Sequence, residues 1–201
     1  KTLKYCLNST LKIKYKTKLF LWVQDLWPES IHAITKINFF GLNYILNIMV
    51  KLIYFFSDKI LVSNKGFFKS ILEKGVKKEK IEFMPNWAEN IFEEDMKINK
   101  KKYKHLIPSG FVVMFAGNMG KAQDLGNILN AIKLTNDKIK WIFLGEGRKL
   151  KWFSNEIKEK KLNSKVKILG GYPLEEMPHF FCHADLTLVS LTNDYIFSLT
   201  M

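Results

Sequence analysis

The segment "VVMFAGNMGKAQDLGNILNAI" (residues 112–132) carries the clearest signal for a fold in this chain. It begins as an apolar run of strand type, passes through Gly117 and Gly120, and continues as an apolar pattern with helical spacing. A strand that enters a helix through a glycine-rich turn leaves backbone N–H groups unpaired at the start of the helix. Those N–H groups and the positive end of the helix dipole favour an anion such as a phosphate group.

Strand and helix patterns alternate on both sides of this segment. Strand patterns cover residues 18–24, 58–64, 80–86, 111–117, 139–145, 165–171 and 185–191. Helical patterns lie between them, at residues 37–56, at a short segment ending near Gly75, and at residues 122–134, 148–161 and 174–184. No hairpin signal joins two strands, which favours parallel pairing. The sequence therefore predicts an α/β fold with Rossmann-like, doubly wound parallel sheets.

A charged segment interrupts this alternation. Residues 88–110 lose the apolar period and are dense in charge, which is typical of a linker or a peripheral loop. The expected division is a first domain at 1–88, a linker at 89–110 and a second domain at 111–201. Because the chain starts without Met and stops directly after a strand pattern, we expect a fragment in which both domains are incomplete.

The charge balance is strongly basic, with a formal net charge of +13. Arg148 is the sole arginine, and base readout relies on arginine, so nucleic acid is disfavoured as a partner. Three explanations of the positive charge stay open: a solvated lysine-rich surface, an anionic membrane as partner, and a diphosphate ligand. Cys6 and Cys182 lie far apart, which indicates neither a disulfide framework nor a thiolate metal site and fits a reducing cytoplasm.

The longest apolar stretch, residues 37–56, approaches the length that spans a bilayer. Asn38 interrupts it, and Asn43, Asn47 and Lys51 recur every four residues, which gives one polar stripe on an apolar helix. Three alternatives are open: a packed helix of a soluble domain, a helix lying on a membrane surface, and a membrane span.

Three successive strand patterns of the second domain end in the glycine-rich turns "AGNMG", "LGEG" and "LGGY". One such turn simply ends a strand, but three at the same sheet edge predict a crevice lined by backbone amides. In the first turn we expect the amides of residues 119–121 to point outward, with Lys121 adding a positive charge and Gln123 a donor. Neither a Walker loop nor a G-x-G-x-x-G motif is present.

Metal ligands are scarce in this pattern. No Asp-x-Asp occurs, so no carboxylate pair is available to clamp a metal-bound diphosphate. His179 and His183 stand four apart beside Cys182, a spacing that fits a packing face or a surface better than a metal site.

A second polar cluster, "QDLWPES" (residues 24–30), follows the first strand pattern. It is either a rigid strand-to-helix turn with Pro28 at the first helical position or one side of a ligand cleft. In the second interpretation Gln24, Asp25, Trp27 and Glu29 face the cleft from the first domain.

The series "WVQDLWPES", "SNKGFFKSILEKGV", "KIEFMPNWAE", "FAGNMGKAQDL", "WIFLGEGR" and "LGGYPLEEMPHFFCHADLTLVSL" closely resembles family 4 glycosyltransferases. Within that family it is similar to WbuB-like transferases of bacterial surface-polysaccharide assembly, which make O-antigen and capsule. The resemblance runs over residues 18–199 and implies the GT-B fold. That fold has two Rossmann-like domains. The second domain binds the nucleotide-sugar donor, and the first binds the acceptor.

The resemblance also assigns residues. Those implied to cradle the donor diphosphate are Gly117, Asn118, Met119, Gly120, Lys121 and Gln123. Those implied to contact the nucleoside are Gly145, Glu146, Gly147, Arg148, Gly170, Gly171, Tyr172 and Pro173. Asp25 matches a family position and is the candidate catalytic residue, whereas Gln24 stands where many relatives carry His. Lys121 and Gln123 stand where many members carry Arg and Lys, and Asp124 where Gly is more usual.

The implied activity is retaining transfer of a sugar from a nucleotide sugar, with UDP as the expected nucleotide, to a polyprenyl-diphosphate-linked or other saccharide acceptor. No cofactor or metal is expected, and the expected location is the cytoplasm or the inner membrane face. The family's Glu-x7-Glu loop would follow Met201, so we expect this fragment to be inactive by itself. A nucleotide-sugar epimerase of the same architecture and a non-catalytic nucleotide-binding or membrane-surface module are the alternatives.

Overall fold

The computed structural model describes residues 12, 14–35, 40–92 and 98–199. Contacts between residues divide the chain into two compact units, one comprising Lys1–Trp87 with Asn193–Met201 and the other Ala88–Thr192. Both are built from parallel strands and helices, so the predicted α/β class is confirmed.

The first unit contains a parallel sheet with the order β1-β2-β3. The strands are β1 (Phe20–Val23), β2 (Lys59–Val62) and β3 (Ile81–Phe83). The helices are α1 (Glu29–Thr35), α2 (Phe40–Phe56) and α3 (Phe67–Glu73). Leu21, Ile60 and Ile81 pair across the three strands and join the buried core, which explains the apolar strand patterns in the sequence.

The C-terminal stretch differs from the expected division, which put residues 111–201 in one domain. Helix α7 (Tyr195–Ser198) belongs to the first unit, in which Ile196 is buried and Phe197 and Leu199 pack against the core. This segment groups with the first unit because its apolar side chains contact that unit's core. Such contacts cannot be recognised from the position of the segment in the sequence.

The second unit contains a parallel sheet with the order β6-β5-β4-β7. The strands are β4 (Phe111–Ala116), β5 (Ile139–Leu144), β6 (Val166–Gly170) and β7 (Leu186–Thr187). The helices are α4 (Leu125–Leu134), α5 (Leu150–Glu159) and α6 (Met177–Phe181).

Alternate residues of β4 and β5 enter two different cores. Val113 and Phe143 pack in the cluster that contains the buried side chains of α4 and α5. Met114 and Ile142 pack in the cluster that contains the buried side chains of α6. Because side chains alternate along a strand, both faces of the sheet are covered by helices, as in a doubly wound fold.

Several predicted boundaries shift. Helix α4 begins at Leu125 rather than 122, and β7 has two residues rather than the seven of the strand pattern. Helix α1 begins at Glu29, so Pro28 precedes the helix. Residues 37–39 of the long apolar pattern, with Asn38, lie outside the described residues. Within the expected linker, Leu106 and Ile107 pack against the core beside α6.

Asp58 joins the start of β2 to the chain before β1. Its Oδ2 accepts hydrogen bonds from Lys12 Nζ and from the backbone N–H of Leu19, both at 2.7 Å. The bond from Lys12 and then the bond from Leu19 hold the pKa of Asp58 below its ordinary value of 3.8. A carboxyl whose pKa is lower in the folded state stabilises the fold above that ordinary value, and loses this contribution as the pH falls through its folded pKa.

We therefore expect Asp58→Asn to lower the free energy of unfolding at neutral pH by about 1–2 kcal/mol, the low end for hydrogen bonds to a charged group, because both side chains are partly exposed. The difference from the wild type should shrink as the pH falls below 3.8 and through the lower folded pKa of Asp58, because the wild-type carboxylate then becomes protonated and loses its charge. Urea unfolding of both proteins, at neutral pH and at acidic pH, measures this difference. Asp137→Asn is the control, since the Asp137 side chain is 83% exposed; an equal effect of the two substitutions would contradict the prediction.

Candidate functional site

The order of strands in the second unit creates a switch point. From β4 the chain proceeds to β5 and β6 on one side, and β7 pairs with β4 on the other side. Loops that follow two strands on either side of such a point diverge and leave a crevice at the carboxyl edge of the sheet. The loop of residues 117–124 follows β4 and therefore lies at this edge.

A second loop at the same edge follows β7. The backbone N–H of Leu188 donates to Met114 O at 2.8 Å, and that of Thr192 donates to Ala122 O at 2.7 Å. Residues 188–192 thus lie beside the 117–124 loop. The sequence-based site omits them because their apolar pattern predicts the continuation of a strand; their position after the last strand of the unit is the signal that could have found them.

Backbone hydrogen bonds bring the three predicted glycine turns together. The N–H of Met119 donates to Glu146 O at 2.7 Å, and the N–H of Lys149 returns to Met119 O at 2.9 Å. Gly145 N–H donates to Gly170 O at 2.7 Å, which joins the second turn to the third. The turns after β4, β5 and β6 are therefore one connected group of loops.

Glycine is needed at the contacts between these turns. Gly145 has a φ of +130°, and a Cβ there would overlap with Gly117 O. A Cβ on Gly147, whose φ is +152°, would lie 2.5 Å from Met119 O. These two glycines allow the backbones of neighbouring turns to come into contact. Such a contact requires glycine more strictly than the mere end of a strand does.

Two amides of the first turn are used inside the loop. The N–H of Met119 is bonded to Glu146 O, and the N–H of Gly120 donates to Gln123 Oε1 at 3.0 Å. The prediction that the amides of residues 119–121 all point outward is therefore wrong for the first two. Among the residues that the structure describes, the N–H groups of Lys121, Leu125 and Gly126 have no acceptor.

Side chains around the first two turns have separate positions. Met119 is fully buried in the core with Phe143, so its side chain anchors the loop. Asn118 and Lys121 are exposed. Glu146 and Arg148 are exposed on the turn after β5, which contacts the first turn. The loop group therefore presents two cations, Lys121 and Arg148, and the carboxylate of Glu146.

The third turn divides between surface and packing. Gly171 and Pro173 are exposed. Gly170 has a φ of +82°, and a Cβ added there would meet nothing within 4 Å. The ring of Tyr172 packs edge-on against Tyr103 and Phe180, at centroid distances of 5.4 and 4.6 Å. Tyr172 therefore anchors the third turn to the core that contains Phe180.

Residues 98–107 hold α6 through polar contacts. Glu176 accepts from Tyr103 Oη at 2.9 Å and pairs with Lys102 at 2.6 Å. The bond from Lys102 and then that from Tyr103 hold the pKa of Glu176 below its ordinary value. Burial and then the Glu176 contact raise the pKa of Tyr103. This ion pair fixes the start of α6 next to the third turn.

The histidine pair is used locally. His179 Nδ1 accepts from the N–H of Asn99 at 3.1 Å, and His183 Nε2 lies 3.2 Å from Lys102 O. Cys182 donates to the carbonyl of His179, and burial raises the pKa of its thiol. Within the described ranges, no group of three or more His, Cys, Asp or Glu side chains is placed to hold a metal ion.

The polar cluster of the first unit separates into two environments. Gln24, Asp25 and Trp27 line a cavity of about 160 Å³ between the end of β1 and the inner side of α2. Glu29 lies apart from them and forms an ion pair with Lys74. That the first three face a cleft shared with the second unit stays a prediction.

Comparisons with known proteins give a consistent result. The family model for glycosyl transferases group 1 matches residues 97–194. The "Probable glycosyltransferase WbjE" of Pseudomonas aeruginosa is 27% identical over 182 residues, which cover 87% of this chain and 44% of that protein.

Among solved structures, HepE of Anabaena in complex with UDP and glucose matches 96% of this chain and 51% of its own, at a TM-score of 0.77 and 16% identity. A sucrose-phosphate synthase of Thermosynechococcus elongatus matches 94% of this chain and 48% of its own, at a TM-score of 0.71 and 12% identity. The chain thus spans about half the length of each of these three proteins, and the identities to the solved structures show the fold alone.

These similarities are to proteins and to a family model that carry glycosyltransferase names. Residues 97–194 match the family model for glycosyl transferases group 1, and the chain shares an α/β fold with parallel sheets with its GT-B glycosyltransferase neighbours.

Proposed function

We propose that the protein is a retaining family 4 glycosyltransferase that moves a sugar from a UDP-linked donor to a lipid-linked saccharide. The pathway we propose is assembly of a bacterial surface polysaccharide such as O-antigen or capsule. The donor site lies on the second unit, at the carboxyl edge of β4, β5 and β6. The names of the relatives support it: WbjE is named a glycosyltransferase, and HepE was solved with UDP and glucose.

The observation that carries the proposal is the loop between β4 and α4 at the switch point of the sheet. It leaves the N–H groups of Lys121, Leu125 and Gly126 without an acceptor among the described residues. Helix α4 has 10 residues, enough for its dipole to favour an anion at this end. A diphosphate is the group of a nucleotide sugar that fits such a site.

The chemistry places charge at the same loop. The bond between sugar C1 and the diphosphate oxygen breaks, and its electron pair leaves with the diphosphate. The acceptor hydroxyl oxygen bonds to C1 and passes its proton to the carboxylate of Asp25, with retention of configuration. Because the transition state resembles an oxocarbenium ion, the protein must stabilise the negative charge that grows on the leaving group.

In this proposal the charge is balanced without a metal, by backbone amides and by Lys121 and Arg148 on two touching turns. A preorganised donor of this kind contributes about 3 kcal/mol to transition-state stabilisation. Asp25, exposed at the end of β1, is the candidate base that accepts the proton of the acceptor hydroxyl. Activity in excess EDTA checks the metal-free step, and a strict requirement for magnesium would contradict it.

Lys121→Ala is expected to weaken binding of UDP about ten-fold, because one charge-assisted contact to phosphate is lost. Lys121→Arg should keep most of the affinity. Titration calorimetry with UDP at low and high salt measures the affinities. The difference in affinity between Lys121→Ala and the wild type should be smaller at high salt, because salt screens the exposed charge. Lys133→Ala, an exposed lysine in the last turn of α4, is the matched control. An equal loss in the control would show a general charge effect.

The function itself is tested on the complete protein that we infer to contain this chain. Incubation with a UDP-sugar and a polyprenyl-diphosphate-linked saccharide should release UDP and lengthen the saccharide. The chain of residues 1–201 should bind UDP without turnover. Formation of an epimeric UDP-sugar without an acceptor, or no binding of UDP to either protein, would contradict the proposal.

We also propose that the protein works in the cytoplasm, at the inner face of the membrane where such acceptors are anchored. Among the described residues, no helix is long and apolar enough to cross a bilayer.

A further inference from the structure

The cavity between the end of β1 and the inner side of α2 has an apolar floor and a polar mouth, and we name it the β1 cavity. The buried residues that line it belong to the strand and the helix, and they are Leu21, Val23, Val50 and Tyr54. The exposed residues that line it follow β1 directly, and they are Gln24, Asp25 and Trp27. A ligand that enters through the polar mouth therefore meets an apolar interior.

The volume of the β1 cavity, about 160 Å³, is large for a space within one domain. Protein interiors are close-packed, and an empty apolar cavity destabilises the fold in proportion to its volume. Water gains little by filling it, because aliphatic side chains offer no hydrogen bond. An apolar cavity of about 150 Å³ takes a guest the size of benzene. The β1 cavity is therefore suited to an apolar group carried by a ligand.

Helix α2 contributes further apolar side chains to this interior. Leu46, Met49 and Ile53 line the cavity, and each of them is only half-buried in the free protein. A ligand that covers such apolar surface gains binding free energy from its removal from water.

The mouth of the cavity restricts the chemistry of this ligand. A carboxylate only accepts hydrogen bonds, an indole N–H only donates one, and a glutamine amide does both. Asp25, Trp27 and Gln24 supply these three groups around one opening. The group that enters should therefore carry a donor and an acceptor close to its apolar end.

Two common groups do not meet this requirement. A hydrocarbon chain has neither a donor nor an acceptor, so it would use none of the polar groups at the mouth. A phosphate group has acceptors only, and its negative charge is repelled by the carboxylate of Asp25. An acetamido group meets the requirement, because it combines an amide N–H, a carbonyl oxygen and a methyl group in one short substituent.

We propose that the β1 cavity binds an acetamido group of the acceptor, so that the saccharide receiving the transferred sugar ends in an N-acetylated amino sugar. In this arrangement the methyl group lies on the apolar floor. Gln24 Oε1 accepts from the amide N–H, and Trp27 Nε1–H donates to the carbonyl oxygen. Asp25 is left for the acceptor hydroxyl. This inference rests on the proposed function, because it names the acceptor of that reaction.

The test compares two probes that differ in one substituent, methyl N-acetyl-β-D-glucosaminide and methyl β-D-glucoside. The chain of residues 1–201 should bind the first at least about ten-fold more tightly, as expected for a small apolar group in a fitting pocket. In saturation-transfer NMR the acetamido methyl protons should give the strongest signal. Equal binding of the two glycosides, or binding of neither, would overturn the inference. Tighter binding of methyl α-L-fucoside would also overturn it, by assigning the cavity to a 6-deoxy sugar.

Leu46→Phe should fill the cavity and lower the affinity for the acetamido glycoside about ten-fold or more. Stability in urea should be kept, because the larger ring occupies space that is empty in the wild type. Met49→Phe fills the same space and takes its place if Leu46→Phe unfolds. Leu52→Phe is the matched control, since it makes the same change in the same helix at a side chain that is 51% exposed and outside the cavity. Equal affinities of Leu46→Phe and Leu52→Phe would contradict the inference.

Gln24→Leu separates recognition of the acetamido group from packing of the turn. The variant removes the proposed partner of the amide N–H, so its affinity for the acetamido glycoside should fall while its affinity for methyl glucoside stays the same. A merely structural role of Gln24 would lower both affinities together, which would contradict the inference.

A transfer experiment keeps this inference distinct from the proposed function. The complete protein is given a UDP-sugar and two polyprenyl-diphosphate-linked acceptors, one ending in an acetamido sugar and one in the corresponding hydroxyl sugar. The value of kcat/KM should be at least about ten-fold higher for the first acceptor. Equal transfer to both would overturn the inference and leave the transferase standing. Absence of transfer to either would contradict the proposed function, and the comparison of the glycosides would then decide the role of the cavity by itself.

Discussion

Gly145→Ala is expected to lower the free energy of unfolding of the second unit by about 3 kcal/mol or more, and to remove measurable binding of UDP. Two penalties combine at this position. The backbone has a φ of +130°, which L side chains rarely adopt, and the new Cβ would overlap with the carbonyl of Gly117. Relief of the overlap must move the first turn away from the second, which displaces the proposed phosphate loop itself. Urea unfolding and calorimetry with UDP measure the two effects.

Two other glycines separate these causes. Gly170 has a φ of +82°, but a Cβ there would meet nothing within 4 Å, so Gly170→Ala should show the backbone strain alone, about 1–3 kcal/mol. Gly126 lies in α4 with only Asp124 Oδ1 at 3.9 Å, and Gly126→Ala should be neutral or stabilising by up to about 1 kcal/mol. If all three variants lost the same stability, close approach of the turns would not be the cause.

Met119→Ala is expected to destabilise the second unit by about 2–5 kcal/mol, the range for truncation of a buried side chain. Met119 has no exposed surface, and it packs in the core between the sheet and the helices α4 and α5. The loss of this anchor should also weaken binding of UDP, because the neighbouring residues 118 and 120 belong to the proposed site. Thermal and urea unfolding, with calorimetry at a temperature where the variant is folded, provide the test.

Met119→Leu keeps the volume of the side chain and should cost less than about 1.5 kcal/mol while retaining affinity for UDP. A loss of affinity in Met119→Leu equal to that in Met119→Ala would mean that the thioether contacts the ligand directly. Wild-type stability in Met119→Ala would contradict the anchoring role.

The architecture of both units could be predicted from the sequence because the strand patterns are dictated by burial. In β4 and β5 nearly every residue is apolar, since both faces of the sheet are covered, and a parallel sheet covered by helices requires such runs. The three glycine turns could also be predicted, because a backbone in contact with another backbone requires glycine at Gly145 and Gly147.

The start of α4 and the direction of the loop amides could not be predicted. Asp124 adopts a left-handed conformation with a φ of +46° directly before α4, and Gln123 returns its side chain to Gly120. The N–H of Met119 in the same loop donates to the carbonyl of Glu146 in the turn after β5. Contacts of this kind join residues distant in sequence, and local propensity does not encode them.

The exposed side of α2 could not be predicted for a different reason. The sequence contains an apolar helix with a polar stripe formed by Asn43, Asn47 and Lys51, and the natural expectation is that a polar stripe faces water. In the structure Asn43 and Asn47 are half-buried, while the apolar residues beside them are exposed. Only packing against the sheet decides which side of an amphipathic helix faces inward.

The backbone links between the turns after β4, β5 and β6 also bear on how such a site can diversify. Since main-chain atoms hold the three turns to one another, the conformational entropy of ordering them is lost during folding rather than when a ligand arrives. Side chains at the rim, such as Asn118 and Arg148, take no part in those links. They can be exchanged to suit another base or sugar while the anion cradle keeps its shape, so that one scaffold can acquire new donors by single substitutions.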